Sequence, residues 1–471
     1  MKIENVANGY DEYKFFLSTY LLPIIGISYN NNLQKTTETI QNVGRFIRQE
    51  ENHVIFSTSN QDVFFVESKQ RLADDAIALA RKIIPAFFRV SKYMMSGTFK
   101  KIKMDYPSDV IHEENIRLAI QKGICDWCTG GDNMAVYGLL QILEQWSVQT
   151  YEGKKVTFGF VVDMHCNASF DEDSADEESS WFAFLKDDYA ATLSDCIHSV
   201  IQLDKNCIFS RYLSITENNI IPECELGNRL PYRFAQVINT YVTGDRVGIF
   251  LLNNGDIVLS KNKAIRLIKR NLRWLNLSYD AFSNAINEKY KSGNLNPALL
   301  GQVYASMLDV SFSHTGGIIA IVSDISKLLE STSQRPPILD MCDNLQDKRT
   351  VAEIEEKMRT SSDENGSARN QEVKKRLLKR KAILGLINGK NFSEIDRKLR
   401  MELISMDGAC ILDLEGNVYA VGAIIQNDSG SSGGGRSAAA KKLSRYGMAV
   451  KISTDGYIEV FVNNEAIYAI K

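Results

Sequence analysis

MELISMDGACILDLEGNVYAVGAIIQNDSGSSGGGRSAAAKKLSRYGMAVKISTDGYI, residues 401–458, decides the fold of the carboxyl-terminal part of the chain. Just before and into it, Ile395, Leu399, Leu403 and Met406 recur at helical spacing, and Ser393 stands where it would cap a helix running to Met406. Asp407-Gly408 ends that helix. Ala409–Leu414 and Val418–Ile425 are apolar, β-prone runs. Glu415-Gly416-Asn417 joins them, and a glycine there supplies the positive φ a hairpin turn needs. Asp407 therefore stands where a helix hands over to a strand.

After the hairpin, SGSSGGG leads into RSAAAKKLSRYG, in which Ala438–Leu443 favour helix and Gly447 is a stop. A Gly-rich loop feeding a helix N-terminus suits an anion. The free N–H groups and the helix dipole attract it, Gly433, Gly434 and Gly435 let a phosphate approach, and Arg436 adds a forked cation. Ser437 can donate one hydrogen bond. The same residues also describe a solvated Gly/Ser loop, a plain Asp-Gly turn and a surface arginine. On residue chemistry alone both readings stand.

Order and spacing here resemble the diadenylate cyclase (DAC) domain, the nucleotide-binding domain of the bacterial DNA integrity scanning protein and of related cyclic di-AMP synthases. That family pairs an Asp-Gly-Ala motif opening a hairpin with an Arg-His-Arg motif on a Gly/Thr loop, followed by Leu-Ser. Asp407-Gly408-Ala409 matches the first motif in full. Arg436 falls on the first Arg of the second and Leu443-Ser444 on the trailing Leu-Ser, whereas Ser437 and Ala438 replace the His and the second Arg. Ser453-Thr454-Asp455 stands where the family has Ser-Glu-Glu near its metal site.

The resemblance implies an α/β domain with a central mixed sheet flanked by helices, preceded by a separate α/β sensor-like domain. It implies two ATP-loaded domains meeting face to face, each ribose 3′-OH attacking the α-phosphate of the other ATP, with pyrophosphate released. Asp407 and Arg436 would be catalytic. Residues 408, 409 and 433–437 would hold the nucleotide, and Asp407 with Asp455 would hold Mg²⁺ or Mn²⁺. Lys441 or Lys442 would stand in for the missing second Arg. The alternative is a regulatory protein that binds ATP or a related nucleotide but has lost turnover.

The chain's 471 residues suffice for two or three domains, and 44% apolar content places it among globular proteins. Net charge of −3 gives no basic footprint for nucleic acid. Phe15–Ile27, the most apolar early segment, is interrupted by Pro23 and falls short of the ~20 residues of a membrane span. A cytoplasmic chain without membrane or nucleic-acid partners is expected. The eight cysteines are scattered, as in a reduced protein. Cys125-Asp126-Trp127-Cys128 is the one CxxC, read as buried thiols ahead of a redox pair or half of a metal site. The five histidines show no ligand spacing.

Ala73–Ile84 reads as a helix interrupted by Pro85, and Asn133–Trp146 as a helix leading to the strand Val156–Val162. Arg246–Ser260 is a hairpin turning at Asn254-Gly255. Ala281–Lys289 and Leu299–Leu308 read as helices before the strand Gly317–Val322. Thr129–Gly131 and Thr315–Gly317, both TGG, read as turns. Asp171–Glu178 is an acidic, solvated loop. A texture change near Gly227 sets the expected boundary: residues 1–225 as a sensor-like domain with an unknown ligand, 226–471 as the DAC-like region, its core motifs at 393–460. Residues 331–390 read as a polar insert whose basic run, KKRLLKRK from Lys374 to Lys381, is a solvated helix face or an anion-binding one.

Overall fold

The computed structural model describes residues 9–27, 33–36, 47–50, 53–57, 63–67, 72–95, 108–131, 134–151, 154–165, 200–205, 209–213, 235–277, 279–290, 295–330, 337–347, 353, 366–425 and 434–470. The fold is mixed α/β in two compact units, Met1–Ala281 and Phe282–Lys471. The acidic run 171–178 and the expected boundary near 226 lie outside the described residues. No helix among the described residues is long and apolar enough to cross a membrane.

Unit 1 holds two sheets. Gln34–Thr36, Val63–Glu67, His53–Ser57 and Ile47–Glu50 form an antiparallel sheet in that spatial order. The larger one has seven strands, with Phe158–Asp163 at the join between Arg246–Leu251 on one side and Val200–Leu203 on the other. The expected hairpin is present, Leu251 pairing with Ile257 across the Asn254-Gly255 turn. Since Arg246–Leu251 pairs with Phe158–Asp163 along its whole length, residues 246–276 belong to unit 1 rather than to the carboxyl-terminal region. Hydrogen bonding between strands overrides the texture change in the sequence.

Pro85 does not end its helix, which runs from Asp74 to Met95. Ile83, Ile84 and Phe87 are buried in the unit 1 core, and the partner helix Ser108–Thr129 comes so close that a Cβ on Gly123 would lie 2.8 Å from Cγ1 of Ile83. Packing along both sides holds the chain helical through the lost N–H. The same partner helix carries Cys125 and Cys128, both buried. Burial pushes the Cys125 thiol up to about 12, as it does Cys342 and Cys410 in unit 2. These thiols stay protonated and poorly nucleophilic at neutral pH. Iodoacetamide at pH 8 is expected to leave Cys125, Cys342 and Cys410 unmodified in the native protein and to label all three in urea, read by peptide mass spectrometry.

Unit 2 is built on six strands in the order β3-β2-β1-β4-β5-β6, where β1 is Gly317–Val322, β2 Ala409–Leu412, β3 Val418–Ala423, β4 Gly447–Ile452, β5 Ile458–Val462 and β6 Glu465–Ile470. Strands β1 and β2 are parallel, and every other pair is antiparallel. All six residues of β1 are buried, as a strand covered on both faces requires. On one pleat Ile318, Ala320 and Val322 share a core with Ala439, Ala440 and Leu443 of α4 (Gly434–Leu443). On the other, Gly317 meets α3 (Arg397–Ser405): a Cβ there would lie 2.9 Å from Cγ2 of Ile404. Helix α1 (Pro297–Ser313) packs beside α3, tied by Arg397 to Asp309 at 2.7 and 3.0 Å.

Two local expectations shift. The helix before Asp407 starts at Arg397 with Asp396 as its cap, accepting from the N–H groups of Lys398 and Leu399. Ser393 sits instead in a short 3₁₀ turn, Phe392–Glu394, capped by Asn391. An aspartate whose side chain reaches two N–H groups outcompetes a serine one turn earlier. Gly447 does not merely stop α4 but opens β4 in extended conformation, where any Cβ would overlap the Ile321 carbonyl.

Residues 337–347 and α2 (Gly366–Ile387) are not an excursion away from the domain. They cover the outer edge of β3. The Leu345 N–H donates to the Tyr419 carbonyl and the Gln346 side-chain amide to that of Val418. Helix α2 is fixed to this segment by Arg376, which pairs with Asp340 at 3.2 Å and with Asp343, and by Arg380, which donates to the Asp347 carbonyl. Covering an edge strand in this way satisfies backbone groups that would otherwise pair with another chain.

Candidate functional site

The N-terminal ends of β1 and β2 converge with the C-terminal ends of β3 and β4. Ile318 pairs with Ala409, so Gly316 and Asp407, each two residues earlier, both lead into the same end of the sheet. Gly317 pairs with Ile452, which brings the turn Ser453–Tyr457 to the same end. Ala409 pairs with Ala423, so Gly422 also lies there.

The guanidinium of Arg436 reaches this end: a Cβ on Gly316 would lie 2.9 Å from its Nη1 and 3.1 Å from the Thr454 nitrogen. The acidic turn and the loop-to-helix junction are therefore on one sheet edge. Asp407 is exposed, Gly408 half-buried with φ +108°, and Ala409 is the buried first residue of β2. Gly434 and Gly435 are exposed first residues of α4, and a Cβ on either would meet nothing within 4 Å. Gly433 lies outside the described residues. Arg436 is half-buried, and neither it nor Asp407 is hydrogen-bonded or ion-paired among the described residues. A half-buried, uncommitted guanidinium beside an open helix N-terminus is a cradle for an anion.

Ser437 is buried at 5% exposure, and Ala438 brings no charge. Lys441 does not replace the missing cation, because its amine lies 5.8 Å from the ring centroid of Phe461, three residues along β5 from the site end. A cation does arrive from elsewhere. Lys379 of α2 donates to the Gly422 carbonyl at 2.5 Å and interacts electrostatically with Asp407. Burial holds its amine below the ordinary lysine range, Asp343 and Asp407 pull it back up, and Arg376 lowers it again. Gly316 was visible in sequence only as a turn, and Lys379 only as one member of a basic run.

The donor set does not fit a resident divalent ion. Asp455 is exposed on the β4–β5 turn, separated from Asp407 by the end of β1 with Arg436 beside it. The Lys379 amine sits at the Gly422 carbonyl beside the Asp407 backbone, and no group of three His, Cys, Asp or Glu with metal-binding geometry occurs among the described residues. Comparison of the chain with family models, with curated proteins and with solved structures finds no match.

Proposed function

We propose that unit 2 binds ATP at the Asp407–Arg436 edge and acts as a diadenylate cyclase. The observation that carries this is the meeting, at one sheet edge, of a carboxylate and a guanidinium that have no hydrogen bond or ion pair among the described residues, beside the start of α4. Arg436 and the N–H groups of Gly435 and Ser437 hold the phosphates, while Gly408 lies under the nucleoside and Ala409, fully buried, only supports it from within the sheet. Two such domains face each other. Each ribose 3′-oxygen forms a bond to the α-phosphorus of the other ATP as the α–β bridge breaks and pyrophosphate leaves, and Asp407 takes the 3′-OH proton. Mg²⁺ or Mn²⁺ enters with the substrate phosphates. Unit 1 supplies the control, through a ligand its residues do not name.

A second reading, a regulator that binds nucleotide without turnover, is favoured by one specific feature: Ser437 and Ala438 leave the junction with a single guanidinium where the resembled motif carries two. Incubation of the purified protein with ATP and Mn²⁺, analysed by chromatography with Asp407→Ala alongside, separates the two. Cyclic di-AMP formed by the wild type and lost in the variant supports the cyclase, and ATP binding without product supports the regulator. Arg436→Ala is expected to weaken ATP binding about ten- to a hundredfold, the worth of a charge-assisted phosphate contact. An unchanged dissociation constant by calorimetry would remove both readings.

A further inference from the structure

We propose that Lys379, delivered by the helix α2 that covers the β3 edge, is a phosphate-binding cation of the nucleotide site and takes the place of a resident divalent ion beside Asp407. The inference rests on the ATP-binding reading above and deepens it.

Lys379 is anchored at the Gly422 carbonyl, and Gly422 adjoins Asp407 so closely that a Cβ on Gly422 would lie 2.8 Å from the Asp407 carbonyl oxygen. An ammonium has three donors, and one serves Gly422. Its placement is over-determined: Arg376 one turn earlier is paired to Asp340 and Asp343, and Leu377 and Ile383 on either side are buried. A solvated helix lysine would need no such anchorage. Lys379 and Arg436 thus approach the same sheet end from opposite flanks, one at β3 and the other at β1, with β2 between them, so that two separate cations are offered to a ligand carrying more than one phosphate. A fixed ammonium next to Asp407 also repels a dication, so the same amine that offers a phosphate contact makes a permanent metal unfavourable.

ATP binding by the full chain is measured by calorimetry in Mg²⁺ and in EDTA, with AMP as the ligand lacking the β- and γ-phosphates. The wild type is expected to bind ATP in EDTA within about threefold of its affinity in Mg²⁺. Lys379→Gln, whose amide can still donate to Gly422, is expected to lose about tenfold or more for ATP in EDTA, with AMP affinity and thermal midpoint unchanged. Lys379→Arg, which keeps the charge, is expected to retain ATP binding. Wild-type binding abolished by EDTA, or Lys379→Gln binding ATP as tightly as the wild type, overturns the proposal. Should Lys379→Gln fail to fold, the wild-type measurement in EDTA and the arginine variant decide. A loss in Arg436→Ala beside an unaffected Lys379→Gln places the failure in the lysine alone, whereas a wild type that binds ATP in neither buffer ends the ATP-binding reading and this one together.

Discussion

Asp309→Ala is expected to destabilise unit 2 by about 3–5 kcal/mol, the range for removing one partner of a buried ion pair. Asp309 and Arg397 each keep only 4% of their side-chain surface, and two hydrogen bonds at 2.7 and 3.0 Å join them. Without the carboxylate, the guanidinium stays buried among α1 and α3 with its charge uncompensated, and the protein can recover only by letting water in. The cost is one of orphaned charge rather than of a lost attraction, which a second variant distinguishes. Asp309→Leu combined with Arg397→Met removes both charges and keeps most of the volume, and is expected to recover most of the loss. Urea unfolding followed by fluorescence reads both. A double variant as unstable as the single would show that the pair itself, and not the stranded charge, holds α1 to α3.

The pair matters to the site because α3 runs directly into Asp407. Its neighbour Arg400 is fully buried and donates to the carbonyls of Phe392, Ser393 and Ile395 at 3.2, 3.4 and 3.0 Å. That guanidinium satisfies carbonyls of the irregular backbone ahead of the helix. The first turn of the helix that leads to the acidic loop is thus held by two buried arginines.

Which parts of this arrangement could be read in the sequence follows from the range of the forces involved. The hairpin around Gly416 and the helix after Gly435 rest on turn chemistry and short-range propensity, and they fold where expected. The cap before α3 moved from Ser393 to Asp396 because several capping residues compete within one turn and only the backbone path decides between them. Pro85 was overruled by packing against Ser108–Thr129, a contact made between residues some forty apart. Lys379 was hidden for the same reason. KKRLLKRK is uniform as a string, and its members differ only once Arg376 meets Asp340 and Asp343 and Arg380 meets Asp347, which turns one lysine of the run toward Gly422. The compact units divide after Ala281, and the strand pairing between residues 158–163 and 246–251 that holds 246–276 in unit 1 leaves no mark in local composition.

Gly408→Ala is expected to destabilise unit 2 by about 3 kcal/mol or more and to dismantle the site with it. Two penalties add at this position. Its φ of +108° is a conformation that costs a residue with a Cβ about 1–3 kcal/mol. In addition, the new methyl would lie 2.6 Å from the Gly422 oxygen and 2.7 Å from that of Ala423, closer than real Cβ contacts allow, and both neighbours are backbone and cannot swing aside. The two strands must therefore part at the point where β2 and β3 begin to pair. Gly422 is the residue whose carbonyl anchors Lys379, so the displacement acts on the carboxylate and the ammonium at once. Gly435→Ala is the matched control: its Cβ meets nothing within 4 Å and it lies in the first turn of α4, so stability is expected to stay within about 1 kcal/mol of the wild type. What that methyl does enter is the space where phosphate is proposed to approach the helix N-terminus. The pair of variants thus separates folding from binding: urea midpoints are expected to fall for Gly408→Ala alone, while ATP affinity falls for both. A Gly435→Ala protein that binds ATP as the wild type does would move the phosphates off the start of α4.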